Sequence, residues 1–299
     1  MGIRRWRVAG IALMTASFLA MWVAGSQAAM KVGFSVSTQV NPFYKAMADG
    51  VRDQAKAEGF EVTVLNAEDK LEKQIADVED LIQKKIDVLL INATHDGAAA
   101  VLNKAADAGI PVITLQRGVP GAKVVSHIGT DNVVIGREGA EWVARKLNGK
   151  GTVVVMEGIP GAASSEDRKK GSAEVWPKYP GIKIVAQQSG KYDRAVALGV
   201  MENILQAQPQ IDAVFCFNDE MAMGALAAVK AAKRTGILIT GMDANKDARE
   251  AVAKGELAMT IALPPYDIGK RGVLYAKWLK TKEQPVPARY VMPVSFITK

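Results

Sequence analysis

Short apolar runs separated by stretches of helical spacing recur from residue 31 to the end of the chain, and this alternation constrains the fold more than any other feature. Residues 31–38, 60–65, 87–91 and 111–115 read as strands, and 42–58, 71–84 and 98–108 carry apolar residues at helical intervals. A strand apolar at nearly every position is buried on both faces, and a helix between two such strands supplies the crossover that parallel pairing needs. Gly59 and Gly109 stand where the first and third helices should stop. The pattern then restarts. Residues 123–128 lead into Thr130-Asp131-Asn132 and a helix to about Leu147. Strands at 152–156, 182–187, 211–217, 237–240 and 257–261 alternate with helices around 167–176 and over 195–207, 221–232 and 247–254. Pro264-Pro265 breaks the chain before a last helix at 266–280 and a short tail. The reading is α/β, with two similar halves laid end to end and parallel-rich sheets covered on both faces.

Three joins are expected: at Thr130-Asp131, at Leu263-Pro264 and near Met292. They divide the chain into an N-terminal lobe (29–130 plus 264–291) and a C-terminal lobe (131–263 plus 292–299), and three joins imply a hinge. The first 28 residues stand apart. Arg4, Arg5 and Arg7 precede an apolar run over 8–25, and Ser26-Gln27-Ala28 has small residues at its first and third places. This is the three-part pattern of a secretory signal peptide cleaved after Ala28. The apolar run has about the minimum length for a membrane span, and no basic stop-transfer cluster follows it. Loss of three arginines and no acid lowers the net charge from +7 to +4. No dense Lys/Arg stripe interleaved with aromatics is present, so nucleic acid is not an expected partner.

Catalytic signatures are absent. There is no G-x-S-x-G, no P-loop and no H-E-x-x-H, and Gly158-Ile-Pro-Gly161 lacks the spacing of a dinucleotide fingerprint. The single cysteine, Cys216, excludes an intramolecular disulfide and sits in the apolar run 213–217, where a small core residue is expected. His127 falls within a strand pattern and reads as structural; His95 follows a strand and reads as a loop or capping residue. Neither belongs to a metal-spacing motif, and no metal or cofactor is implied. The chain does not read as an enzyme.

Parallel sheets bind ligands beyond the carboxyl ends of their strands. Asn41, Phe43 and Tyr44 follow the first strand, and Gln116-Arg117 the fourth. In the second half, Glu166 and Arg168, Tyr192, Asn218 and Asp243 follow successive strands. Each has an ordinary structural explanation: Asn41-Pro42 is a good helix start, Asp219 can cap a helix, and Phe43 and Tyr44 can be core. As a set they are what a sugar needs. Amides, carboxylates and guanidinium groups bond hydroxyls in pairs, and aromatic faces cover the C–H surface.

At these residues the sequence resembles the periplasmic sugar-binding proteins of ABC transporters, in the ribose-binding-protein-like group (type I periplasmic binding proteins). The resemblance rests on Asn41-Pro42-Phe43-Tyr44, Ile110-Pro-Val-Ile-Thr-Leu115, Val125-Ser-His-Ile128 with Thr130-Asp131-Asn132, and Asn218-Asp-Glu-Met-Ala-Met-Gly224. It covers nearly the whole chain after the leader. It implies two Rossmann-like lobes joined by a three-crossing hinge, with a ligand held between them. By the same resemblance Asn41 and Arg117 bond hydroxyls, Phe43, Tyr44 and Tyr192 cover the ring, and Asn218 and Asp243 accept and donate from the second lobe. Three positions depart from the ribose pattern: Gln116 replaces Asp, Glu166 replaces Arg, and Leu263 replaces a hinge Gln. Arg168 lies two residues beyond Glu166, and a two-residue shift in register would place it there instead. The expected ligand is therefore another monosaccharide, a sugar alcohol or inositol, or an amino sugar whose ammonium Glu166 and Asp243 would flank. Family likeness further implies a monomer in the periplasm that delivers its ligand to a permease and its ATPase. Two alternatives share the fold: the core of a sugar-responsive transcriptional regulator, and a ligand presenter for a chemoreceptor.

Overall fold

The computed structural model describes residues 29–299; the proposed signal peptide lies outside the described residues. The first half runs β1 (Lys31–Val36), α1 (Pro42–Ala57), β2 (Glu61–Asn66), α2 (Leu71–Gln83), β3 (Val88–Ile91), α3 (Ala99–Asp107), β4 (Val112–Leu115) and β5 (Ser126–Gly129). The second runs α4 (Asn132–Lys146), β6 (Lys150–Glu157), α5 (Ala163–Ala173), β7 (Gly181–Ser189), α6 (Arg194–Ala207), β8 (Ala213–Cys216), α7 (Asp219–Ala231), β9 (Leu238–Asp243), α8 (Lys246–Lys254) and β10 (Met259–Ala262). Helix α9 (Pro265–Thr281) and the tail strands β11 (Arg289–Val291) and β12 (Ser295–Thr298) close the chain.

Two six-stranded sheets result, in the orders β11-β5-β4-β3-β1-β2 and β12-β10-β9-β8-β6-β7. Every pairing in the first is parallel, and the second departs only where β12 runs antiparallel to β10. The continuous apolar runs have the predicted consequence. On β3, Val88 and Leu90 join one hydrophobic cluster while Leu89 and Ile91 join another on the opposite face. Each fully buried side chain of this size contributes roughly 1.5–3 kcal/mol.

The chain passes between sheets three times: after β5, between β10 and α9, and between β11 and β12. Helix α9 returns to the first sheet by packing on α1, so closely that a Cβ at Gly50 would stand 2.1 Å from the Tyr266 carbonyl oxygen.

Boundaries differ from the sequence reading in a few places. Helix α5 begins at Ala163 rather than 167, because its first turn, Ala-Ser-Ser-Glu, carries no apolar stripe to announce it. Residues 176–178 form a separate 3-10 turn. The expected strand over 123–128 pairs only from Ser126, and the tail folds into two short strands with largely exposed side chains.

Candidate functional site

The carboxyl ends of the two sheets face each other. Between them is a cavity of about 250 Å³, lined by Asn41, Phe43, Tyr44 and Gln116 from the first half and Ser164, Arg168, Tyr192, Asn218 and Asp243 from the second. A larger chamber of about 680 Å³ adjoins it and shares Asn41, Tyr44 and Tyr192 as a common wall.

Local structure explains how the polar groups are aimed. Asn41 is the N-cap of α1, its Oδ1 accepting from Phe43 N at 2.9 Å. Asn218 caps α7 in the same way, accepting from Met221 N at 2.9 Å. Asp219, the cap foreseen from sequence, is instead the first residue of that helix, because Asn218 already occupies the extended capping conformation. With both cap oxygens engaged, the two amides offer N–H groups to the cleft. Each Nδ2 lies 3.5 Å from one acceptor, the Tyr192 carbonyl oxygen. Tyr192 hydroxyl is 3.2 Å from Ser164 Oγ. Phe43 and Tyr44 meet edge to face at 5.2 Å. Burial drives the Tyr44 hydroxyl well above its ordinary pKa, so it stays protonated.

Gln116 lies in the wall, but its amide is already engaged. Its Oε1 accepts from Thr130 N at 3.1 Å, and its Nε2 donates to Thr130 Oγ1 at 2.8 Å and towards Asn132 Oδ1 at 3.5 Å. Asn132 in turn accepts from Arg168 Nε at 3.0 Å, and Arg168 Nη1 donates to the Phe217 carbonyl. The end of β4, the first crossing and the cavity's guanidinium are thus one hydrogen-bonded chain. Asp243 is 8% exposed; burial, opposed by nearby Arg168, raises its carboxyl well above the usual range.

Three expectations are corrected. Glu166 is exposed on α5 and accepts from Gly161 N at 3.0 Å; Arg168, two residues on, reaches the cavity. Leu263 is 5% exposed and packs into the hydrophobic core at the second crossing, lining neither chamber. Arg117 lines the larger chamber rather than the inner cavity, its guanidinium 4.9 Å from the Tyr44 ring centroid and 5.7 Å from that of Tyr192. Ser164, Thr130 and Asn132 went unnoticed as site residues. Thr130 and Asn132 sit in a sequence motif, whereas Ser164 carries no signal of its own. The remaining reactive side chains lie elsewhere. His127 Nδ1 is 2.9 Å from Thr114 Oγ1, His95 caps a short turn by accepting from Gly97 N at 2.9 Å, and the Cys216 thiol is fully buried and pushed up by that burial. Among the described residues no cluster of His, Cys, Asp or Glu could hold a metal ion.

This pair of parallel sheets, crossed three times and closed over a small polar cavity, is the architecture of the type I periplasmic binding proteins. The model of the periplasmic binding protein domain family matches residues 32–284, and the chain belongs to that family, in its ribose-binding-protein-like group. The ribose import binding protein of Bacillus subtilis is 39% identical over 248 residues, covering 83% of this chain and 80% of that one. A periplasmic solute-binding protein of an ABC transporter from Actinobacillus succinogenes, solved with bound D-allose, superposes with a TM-score of 0.84 at 32% identity, over 90% of this chain and 97% of that one. An ABC transporter solute-binding protein from Bacillus halodurans with bound myo-inositol gives 0.87 at 28% identity, over 92% and 96%.

Proposed function

We propose that this chain is the solute-binding component of an ABC importer, capturing a monosaccharide or closely related hydroxyl-rich molecule and delivering it to a membrane permease and its ATPase. The observation that carries this reading is the inner cavity. Amide N–H groups from both sheets, a guanidinium, a buried carboxyl and three aromatic rings converge there, in a family whose relatives take ribose, D-allose and myo-inositol. The polar groups match hydroxyls and the rings match a C–H face. Glu166 lies outside the cavity, so the argument for an amino sugar is lost.

The mechanism follows from the crossings. The lobes, taken as 29–130 plus 264–291 and 131–263 plus 292–299, rotate about the three joins, and a ligand touching both favours the closed state. Closure removes water and strengthens each polar contact. The chain works as a monomer, exported by its cleaved leader to the periplasm, and performs binding rather than catalysis.

The test begins with the full chain expressed with its leader. Recovery from the periplasmic extract with an N-terminus at Ala29 supports export. Thermal-shift screening against monosaccharides and polyols should then find a ligand that raises the melting temperature, since a ligand at 100 times its Kd adds about 2.7 kcal/mol. Phe43→Ala and Asn218→Ala should each weaken that ligand about tenfold or more, the equivalent of about 1.4 kcal/mol. Unchanged affinity in both variants would overturn the site.

A further inference from the structure

Arg117 and Arg168 are the two buried cations of the cleft, 1% and 3% exposed. One belongs to each half, and both flank the same ring, their guanidinium carbons 5.7 and 5.9 Å from the Tyr192 centroid. Neither makes an ion pair within 4.0 Å with any described carboxylate. Arg168 has Nε and Nη1 bonded to neutral oxygens. Arg117 donates Nη1 to the Ala93 carbonyl at 3.1 Å, while its Nε and Nη2 are buried with no partner. Those two nitrogens form one edge of the guanidinium fork, the edge that a carboxylate meets with two parallel hydrogen bonds.

Compensating negative charge is scarce. Asp243 is the sole carboxyl lining the inner cavity. Asp219 lies behind it, fully buried, accepting from Thr260 Oγ1 and Asn245 N, each at 2.7 Å. Burial raises both carboxyls, Asp219 to about 7, and Asp219 raises Asp243 further, so the pair retains a proton near neutrality. Asp69 and Asp193, at the rim of the larger chamber, are exposed, and Glu220 is held by Arg194. Gln116, next to Arg117 in the chain, is neutral with its amide engaged. Two desolvated guanidinium groups therefore face about one negative charge. Buried charge without a partner is destabilising, and an anion entering the cleft relieves it.

We infer that the ligand carries a carboxylate, making it a sugar acid of the aldonate or uronate type, whose carboxylate meets Arg117 while its hydroxyls meet Asn41, Asn218 and Asp243. This rests on the binding function proposed above and reverses the charge expected from sequence, where Glu166 and Asp243 suggested an ammonium. The anion would lie near guanidinium groups from both halves, so its arrival also favours closure.

Titration calorimetry on the full, leader-processed protein tests this with probes matched in shape and differing in charge: D-glucose, D-glucuronate, D-gluconate and D-glucosamine, and the galactose and ribose counterparts. At least one acid should bind tenfold or more tighter than its neutral parent, and the amino sugars should bind more weakly than either. Gln116→Glu places a fixed negative charge beside Arg117 at nearly constant shape. It should lower the ratio of acid to neutral affinity at least tenfold. Neutral parents that bind as tightly as their acids would overturn the inference and leave the solute-binding function standing. A ratio unchanged in Gln116→Glu would also overturn it, since charge at this site would then not set the preference. Failure of every probe, neutral and charged, would remove both readings together.

Discussion

Gln116, Tyr192 and Asp243 share a backbone feature: each has a positive φ, at 61°, 58° and 122°. Side-chain-bearing residues rarely adopt this region, and strain of this kind gathers where a site requires a particular aim. All three stand at the cleft. His127 shows the opposite relation between residue and function. It lines no part of the inner cavity, yet burial, aided by Arg289, lowers its pKa to about 4. Unfolded His titrates near 6.5, so between pH 6.5 and 4 the unfolded chain binds a proton that the folded one refuses. Stability is therefore lost as pH falls through that window, by up to about 3 kcal/mol for this one group. Asp219, raised to about 7, contributes the opposite slope between its folded value and the ordinary carboxylate range, so the informative quantity is a difference between proteins. Urea unfolding of the wild type and His127→Gln from pH 7 to pH 4 should show the wild type losing stability relative to the variant. Parallel curves would mean that His127 is protonated in the folded state. At this scale the sequence was legible where a residue's role is local: Asn41 capping a helix, His127 in a strand. It failed at Glu166 and Arg168. Two positions apart on a helix are about 200° apart around its axis, so the choice between them depends on helix phase, which the polar first turn of α5 hides.

Elements decide which of those residues can reach the cleft. Helices α4 and α5 approach closely because each has a glycine at the contact. A Cβ on Gly136 would stand 2.2 Å from the Arg168 carbonyl oxygen, and one on Gly171 would stand 1.9 Å from that of Val133. Arg168 is thus fixed at its backbone by the helix pair and at its guanidinium by Asn132 on the neighbouring helix. Gly136→Val should push the helices apart, costing roughly 1–3 kcal/mol of stability, and should weaken ligand binding more than tenfold by withdrawing Arg168. Gly199 on α6 is the control. A Cβ there meets nothing within 4 Å, so Gly199→Ala should be stabilising by about 0.5–1 kcal/mol with binding untouched. Thermal unfolding and calorimetry on both variants separate a local effect on Arg168 from general damage. Most elements were readable from sequence because their strands are buried on both faces and their helices carry apolar stripes. Strands β11 and β12 were not. They are short, lie at sheet edges and expose most of their side chains, so no apolar run marks them.

For the whole molecule, the central contact is the convergence of Asn41 and Asn218 on one carbonyl. Asn41 follows the first strand of the first sheet; Asn218 and Tyr192 follow strands of the second. With both amides 3.5 Å from the Tyr192 oxygen, a ligand that brings the lobes together affects all three at once. Closure is one event, so contributions from the two sides should not add. In a double-mutant cycle with Asn41→Ala and Asn218→Ala, measured as ligand affinity, the double variant should lose less than the sum of the single losses, by about 0.5–1 kcal/mol. Once either amide is gone, the closed state is less favoured and the other has less to lose. Small-angle scattering supplies the structural arm: the radius of gyration should fall on ligand addition for the wild type and fall less for the double variant. Additive losses with undiminished contraction would mean that the two halves bind the ligand independently, and closure about the three crossings would then have no part in capture.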